Sequence, residues 1–287
     1  MKYAYFPGCS LHSTAKEYDD STRAVCRELG IELEEIPDWN CCGATSAHSL
    51  SRELGLALPL RNLAIAEKMG LDVLAPCAAC FNRLKSADAA AKDHPDLLKS
   101  IAEKSGIDYQ GKIGVLSLLK ALDAVGVEEI KSHVKRELSG LKPACYYGCL
   151  LLRPPDVAQF DDPENPTSMD NMVAALGAEP VDWPHKTECC GASLSLSKSD
   201  VVVKLTHDLL SMAKKSGANC IVTACPLCQA NLDTRQDQVE AKYGEKYGMP
   251  IFYVTQLMGM AFGIPNSSLG FNKLMVSPDK VLAEVGK

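Results

Sequence analysis

Of the 13 cysteines in this 287-residue chain, ten fall into one pattern that is written twice. In the first half Cys9 precedes the doublet Cys41-Cys42 by 31 intervening residues, and 34 more lead to Cys77-x-x-Cys80. In the second half Cys149 precedes Cys189-Cys190 by 39 residues, and again 34 lead to Cys225-x-x-Cys228. From doublet to last cysteine the halves agree at a constant offset of 148. Five thiols per half exceed the four ligands of a structural zinc, although each Cys-x-x-Cys alone has the form of a zinc knuckle. Adjacent cysteines chelate one tetrahedral ion poorly. They suit a cluster in which neighbouring thiolates reach different irons or one thiolate bridges two. A strand followed by Cys-x-x-Cys and a helix is also the redox-dithiol arrangement, which leaves the doublets unexplained. Iron-sulfur, zinc and dithiol chemistry thus all stay open on residue type and spacing.

The elements that must position these thiols alternate along each half. KYAYFPG reads as a strand delivering Cys9, and a helix follows with Ser13 or Thr14 as its cap and Ala24, Val25 and Leu29 on its apolar face. IELEEIPDW is a second strand leading to the first doublet, with Gly43 letting the backbone approach a bulky ligand. Residues 48–69 read as a helix that Pro59 should kink or split, and LDVLAPC as a buried third strand. Residues 80–104 and 112–138 carry helical periodicity, and SGLKP marks the boundary. The second half repeats the plan: ACYYGC and EPVDW as strands, MDNMVAALG as the remnant of the first helix after a Pro-rich loop, and NCIVTAC as the third strand. Residues 197–216 form a helix with Val201, Val202, Leu205, Leu209 and Met212 on one face, capped by Ser199 or Asp200. Strands separated by helices imply parallel sheets whose ligands bind at the strand carboxyl ends. The expected fold is therefore α/β: two similar lobes, residues 1–138 and 139–287, related by pseudo-twofold symmetry, each a small parallel sheet flanked by helices with its cysteines at the strand ends.

A hydrophobic content of 46% supports one large core or two modest ones. The net charge of -6 argues against a nucleic-acid partner. No run approaches the length of a membrane span and the N-terminus has no apolar signal region, so a cytoplasmic protein is expected. In such a chain an odd cysteine count speaks for metal or redox chemistry rather than a disulfide framework.

The doubled pattern, with Gly43 and Gly191 after the doublets, resembles the paired cysteine-rich CCG domains of the B subunit of heterodisulfide reductase. The stretch SGLKPACYYGCLLLRPP resembles the inter-domain segment of that family. The resemblance implies two non-cubane [4Fe-4S] clusters. One would use Cys9, Cys41, Cys42, Cys77 and Cys80, and the other Cys149, Cys189, Cys190, Cys225 and Cys228. It implies reduction of a disulfide to two thiols with one electron from each cluster. It also implies two heterodisulfide reductase partners: the small ferredoxin-like C subunit, which is the immediate donor, and the flavin-containing A subunit, which can carry out electron bifurcation. The chain has neither a ferredoxin cysteine run nor a Gly-rich dinucleotide fingerprint, in keeping with electrons supplied from outside. Leu150 stands where methanogen members tend to carry His, and Gly43 where they commonly carry Pro, so that another disulfide, small or protein-borne, fits as well as the coenzyme M–coenzyme B pair. The other reading within the family is an electron relay without its own substrate site, of the lactate or glycerol-phosphate oxidation type.

His12, His48, Arg52, Arg153, His185 and Lys186 lie near motif cysteines. An imidazole titrates near neutral pH, so His48 and His185 are the candidates for protonating a product thiolate. Arg153 and Lys186 are candidates for holding an anionic substrate. Cys26 and Cys220 read as small buried hydrophobes. Cys145 competes with Cys149, and Gly148, the counterpart of Gly8, decides for Cys149. Trp39 and Trp183 precede the doublets as packing or as shields against water.

Overall fold

Short apolar runs that turn directly into helices build most of this molecule. The computed structural model describes residues 1–44 and 47–286. Thr45 and Ser46, within the ATSAHS stretch after the first doublet, lie outside the described residues, as does Lys287. The first half opens with β1 (Lys2–Tyr5), the short α1 (Gly8–His12), α2 (Lys16–Glu28) and β2 (Glu32–Glu35). It continues through α3 (Ala47–Leu50), α4 (Arg52–Met69), β3 (Val73–Ala75), α5 (Ala78–Asp93) and α6 (Pro95–Ser105), then β4 (Val115–Ser117), α7 (Leu118–Asp123) and α8 (Val127–Ser132). These strands form a parallel sheet in the order β2-β1-β3-β4. Val73, Leu74 and Ala75 are all buried, as expected for a strand covered by helices on both faces.

The second half holds β5 (Pro143–Tyr146), α9 (Pro155–Ala158), α10 (Ser168–Ala175), α11 (Ser199–Lys215), β6 (Cys220–Thr223), α12 (Pro226–Thr234) and α13 (Gln236–Tyr243). It ends with β7 (Ile251–Tyr253), α14 (Val254–Ala261) and α15 (Asp279–Leu282). Its parallel sheet runs β5-β6-β7. A single bridge between Ala144 and Val181 stands where the first sheet pairs Ala4 with Glu34. The expected strand at EPVDW thus contracts to a single bridge, with Glu179 N and Val181 N donating to Leu141 O and Pro143 O and the Trp183 indole taking Cys145 O. Two similar α/β lobes result, as the sequence pattern requires.

Several local expectations are revised. The periodicity of 112–138 hides β4, which runs straight into α7 with Ser117 Oγ accepting from Lys120 N. The long helix from His48 breaks at Ser51, whose hydroxyl caps α4 by accepting from Leu54 N, and it passes through Pro59 unbroken. Proline at 59 cannot donate to the carbonyl four residues back. That carbonyl, of Gly55, accepts from the Arg83 guanidinium at 2.8 Å instead. Neither expected cap on α2 or α11 forms: Ser13 Oγ donates to Cys9 O, and α11 starts after Lys198 without a side-chain cap. The buried face of α11 is Val202, Val203, Thr206, Leu209, Leu210 and Ala213, whereas Val201 is exposed.

The lobes meet along α2 and α14. Tyr18 and Tyr253 stack there with centroids 4.1 Å apart and planes within 5°. The Ser21 and Thr255 hydroxyls share a buried hydrogen bond of 2.8 Å. The segment after α14 then folds back over α2, where Gly270 at φ 67° lies so close to Glu17 that a Cβ would stand 2.3 Å from its side chain. Among the described residues no helix is long and apolar enough to cross a membrane.

Candidate metal centre

In each sheet the strand order reverses between two neighbours, β1 and β3 in the first and, with the Val181 bridge counted, β5 and β6 in the second. Loops leave such a switch point in opposite directions and open a crevice at the carboxyl ends. The cysteines lie there. Cys9 follows β1 and Cys77 follows β3, while Cys149 follows β5 and Cys225 follows β6. Cys77 and Cys225 are the N-cap residues of α5 and α12, which places Cys80 and Cys228 in the first helical turns. Helix N-termini present free amides and a positive dipole end, a setting that favours thiolate.

Gly8 and Gly148 explain why a glycine precedes each lone cysteine. Both take left-handed backbone, φ 65° and 67°, and a Cβ would stand 2.9 Å from Cys80 Sγ at Gly8 and 3.3 Å from Cys228 Sγ at Gly148. The glycines after the doublets have a different reason from the one expected. A Cβ at Gly43 would meet Ala47 and Leu58, and one at Gly191 would meet Leu205 and Val202. These positions let the doublet loops press against α3, α4 and α11 rather than against a ligand.

The thiols meet in pairs. Cys42 Sγ and Cys80 Sγ are 3.3 Å apart, and Cys190 Sγ and Cys228 Sγ are 3.5 Å apart. Electrostatic influence extends from these two pairs to Cys41 beside Cys42, Cys77 beside Cys80, Cys225 beside Cys228 and Cys149 beside Cys189, and it reaches from Cys77 to Cys225 across the lobe boundary. It drives neighbouring thiols apart in acidity. Donation from Cys41 and then Cys80 holds Cys42 down to about 3. Cys149 holds Cys189 down to about 6, and Cys228 and Cys77 hold Cys225 well below the usual thiol range. The donors Cys41, Cys149 and Cys77 are raised by the same contacts.

The donor set fits a polynuclear iron-sulfur group. Each lobe gathers five thiols and no carboxylate or imidazole among them. Among the described residues no three His, Cys, Asp or Glu side chains close on a single-ion point. The remaining cysteines are fully buried in the core, and burial pushes Cys26 up to about 12 and raises Cys145 and Cys220 as well.

Between the lobes lies a cavity of about 320 Å³. Its second-lobe wall carries Cys149, Cys189, Cys190, Cys225 and Cys228, with Leu150 and Tyr147. Its first-lobe wall comes from α3 and α5, with His48, Ala78, Asn82 and Arg83. Asn82 Nδ2 braces the boundary by donating to Leu150 O at 3.2 Å and Arg153 O at 2.8 Å. His185 lies away from these lining residues, stacked on Trp183. Lys186 is buried and paired with Asp170 at 2.9 Å, and Arg153 pairs with Glu164 at 2.9 Å, so both expected anion holders are engaged elsewhere. Trp39 packs edge-on against Phe6 and His12, and Trp183 donates to Cys145 O. The sequence reading missed Asn82 and Arg83. Arg83 follows Cys80 by three positions on one helix, which puts both on one face.

Residues 3–85 and 144–233 match the family model described as CCG, cysteine-rich domain. The chain belongs to the CCG cysteine-rich domain family. Its paired CCG halves are similar over nearly their full length to the B subunits of heterodisulfide reductases, with 30% identity to that of the ferredoxin:CoB-CoM heterodisulfide reductase of Methanosarcina mazei over 99% of this chain and 97% of that one. The chain is 40% identical to the 8-methylmenaquinol:fumarate reductase membrane anchor subunit of Wolinella succinogenes, over 98% of this chain and 99% of the relative. In fold it is similar to a solved hypothetical protein from Helicobacter pylori, at a TM-score of 0.71 and 14% identity, covering 96% of this chain and 52% of that one.

Proposed function

We propose that this CCG protein is the disulfide-reducing component of a multi-subunit oxidoreductase, with residues 1–138 and 139–287 as its two functional halves. The observation that carries the reading is the interlobe cavity whose second-lobe wall is made of five motif cysteines and whose opposite wall belongs to the other lobe. At about 320 Å³ it would hold the second lobe's cluster against that wall, with the first-lobe side left to a small thiol or disulfide. The ten motif cysteines would hold two non-cubane [4Fe-4S] clusters, which when bound supply electrons one at a time.

Cleaving a disulfide to two thiols takes two electrons and two protons. The chain's own residues would exclude water with Ala78, Leu150 and Leu227, fix the lobe boundary through Asn82, and deliver a proton to a leaving thiolate from His48. His185 is the second candidate donor of the sequence pattern and would need another route to the cavity. Electrons would enter from a ferredoxin-like partner fed by a flavin-containing one. A relay role within a quinol-linked or other dehydrogenase complex is the second reading, favoured by the 40% identity to a fumarate reductase subunit.

Iron and acid-labile sulfide analysis of anaerobically purified protein, followed by EPR after oxidation with and without thiols, separates the two. About eight irons per chain and a signal that changes on adding thiol are expected. The same iron content with no response to any thiol assigns the chain to relay, and zinc without iron overturns both readings.

A further inference from the structure

The duplication supplies an internal control for the side chain three positions after each Cys-x-x-Cys. In the second lobe this is Asn231, and it is fully engaged by its own lobe: Nδ2 donates to Cys190 O at 3.0 Å, and Oδ1 accepts from Ser195 Oγ at 2.8 Å. In the first lobe the same position is Arg83. One of its amino nitrogens is held by Gly55 O, the carbonyl released by Pro59. Its Nε is buried and without a hydrogen-bond partner among the described residues. Gly55 makes the niche: a Cβ there would stand 2.9 Å from His48 Cα and 3.2 Å from the Arg83 guanidinium. The guanidinium lines the interlobe cavity, and no Asp or Glu is among the lining residues described. Arg83 is half-buried, and a guanidinium whose Nε is buried without a partner is completed by an anion, which its fork matches when the group is carboxylate-like.

We propose that Arg83 is an anion-binding side chain of the interlobe cavity, so that the thiol or disulfide taken there carries a carboxylate or a similarly anionic group on the side facing the first lobe. This rests on the disulfide-reducing reading above. The alternative role for the same charge is to add to what Cys41 and Cys80 do in lowering Cys42, and so to serve the first lobe's thiols.

The test titrates iron-loaded protein with mercaptoacetate and with mercaptoethanol, thiols of similar size that differ in charge, and follows the thiol-dependent EPR change. The parent protein should half-saturate at roughly tenfold lower mercaptoacetate than mercaptoethanol, as expected for a charge-assisted hydrogen bond. Arg83→Gln should erase that preference while leaving iron content unchanged, and Arg83→Lys should restore part of it. A preference that survives in Arg83→Gln overturns the proposal. So does loss of iron in both variants, which assigns the residue to the thiol centre. A parent response blind to charge sinks this inference alone, whereas a parent blind to both thiols removes the disulfide reading and this inference with it.

Discussion

The two lobes carry the same five cysteines at the same strand ends, yet only the second set lines the interlobe cavity. In the first lobe the doublet loop is braced from α4, with Asn62 exchanging two hydrogen bonds with the Asn40 backbone, and the lobe contributes helix faces to the cavity instead of sulfur. In the second lobe Asn231 ties the doublet loop to α12 and leaves the sulfurs facing outward from it. Position by position, Arg83 and Asn231 express the same division. Duplication fixes where sulfur sits. On the proposed function, the neighbours at equivalent positions would then decide which set meets a ligand.

Serine substitutions at Cys42 and Cys190 are the strongest way to break the comparison. Each should remove about half of the iron and sulfide while sparing the other centre, as expected when one thiolate ligand is lost from a cluster. The thiol-dependent EPR change should vanish in Cys190→Ser and persist in Cys42→Ser, and an equal loss in both variants would mean that the lobes do not differ in access.

Alanine at the two glycines gives a graded version. At both sites a left-handed backbone costs about 1–2 kcal/mol for any residue with a Cβ. Only Gly8→Ala adds a contact under 3.0 Å with a cysteine sulfur, so thermal unfolding should be lowered more at Gly8 than at Gly148. The reverse order would show that Cys80 moves more freely than Cys228.

The smallest effect separates two buried carboxylates, one per lobe. Burial raises both Glu17 and Asp233, but Asp233 accepts from Met275 N and Val276 N and so anchors the C-terminal segment. A carboxyl raised in the folded state binds more protons there than in the unfolded chain, so stability falls as pH rises through its folded pKa. Glu17→Gln removes that loss and should be slightly stabilising at pH 7, with the difference closing in acid. Asp233→Ala removes the acceptor of two part-buried amides and of Gln229 Nε2, and should cost about 1–3 kcal/mol at either pH. Denaturant unfolding at neutral and acid pH measures both.

Much of this was legible because thiol spacing and apolar strand runs are written locally. The ten motif cysteines, the two lobes and the strands that deliver Cys9, Cys77, Cys149 and Cys225 follow from pattern alone. β4 was not legible, because it is three residues long and runs directly into an apolar helix, so the combined stretch reads as helical; β7, equally short and followed by α14, gave no strand signal. Pro59 misled for a tertiary reason, since the carbonyl it abandons is satisfied by a residue 28 positions away. The influence of Cys77 on Cys225 and the burial of Lys186 against Asp170 depend on how lobes and loops dock, which spacing along the chain does not encode.

The tyrosine stack between α2 and α14 bears on traffic. Paired domains ordinarily move relative to one another. Here separation would tear apart two coplanar rings, a buried hydroxyl pair and the segment that folds back over Glu17. On the proposed function, a molecule entering the cavity would arrive past the exposed His48 and Leu150 without a hinge having to swing. With the halves locked, the hop length for an electron crossing between two lobe-borne centres would stay constant from one turnover to the next.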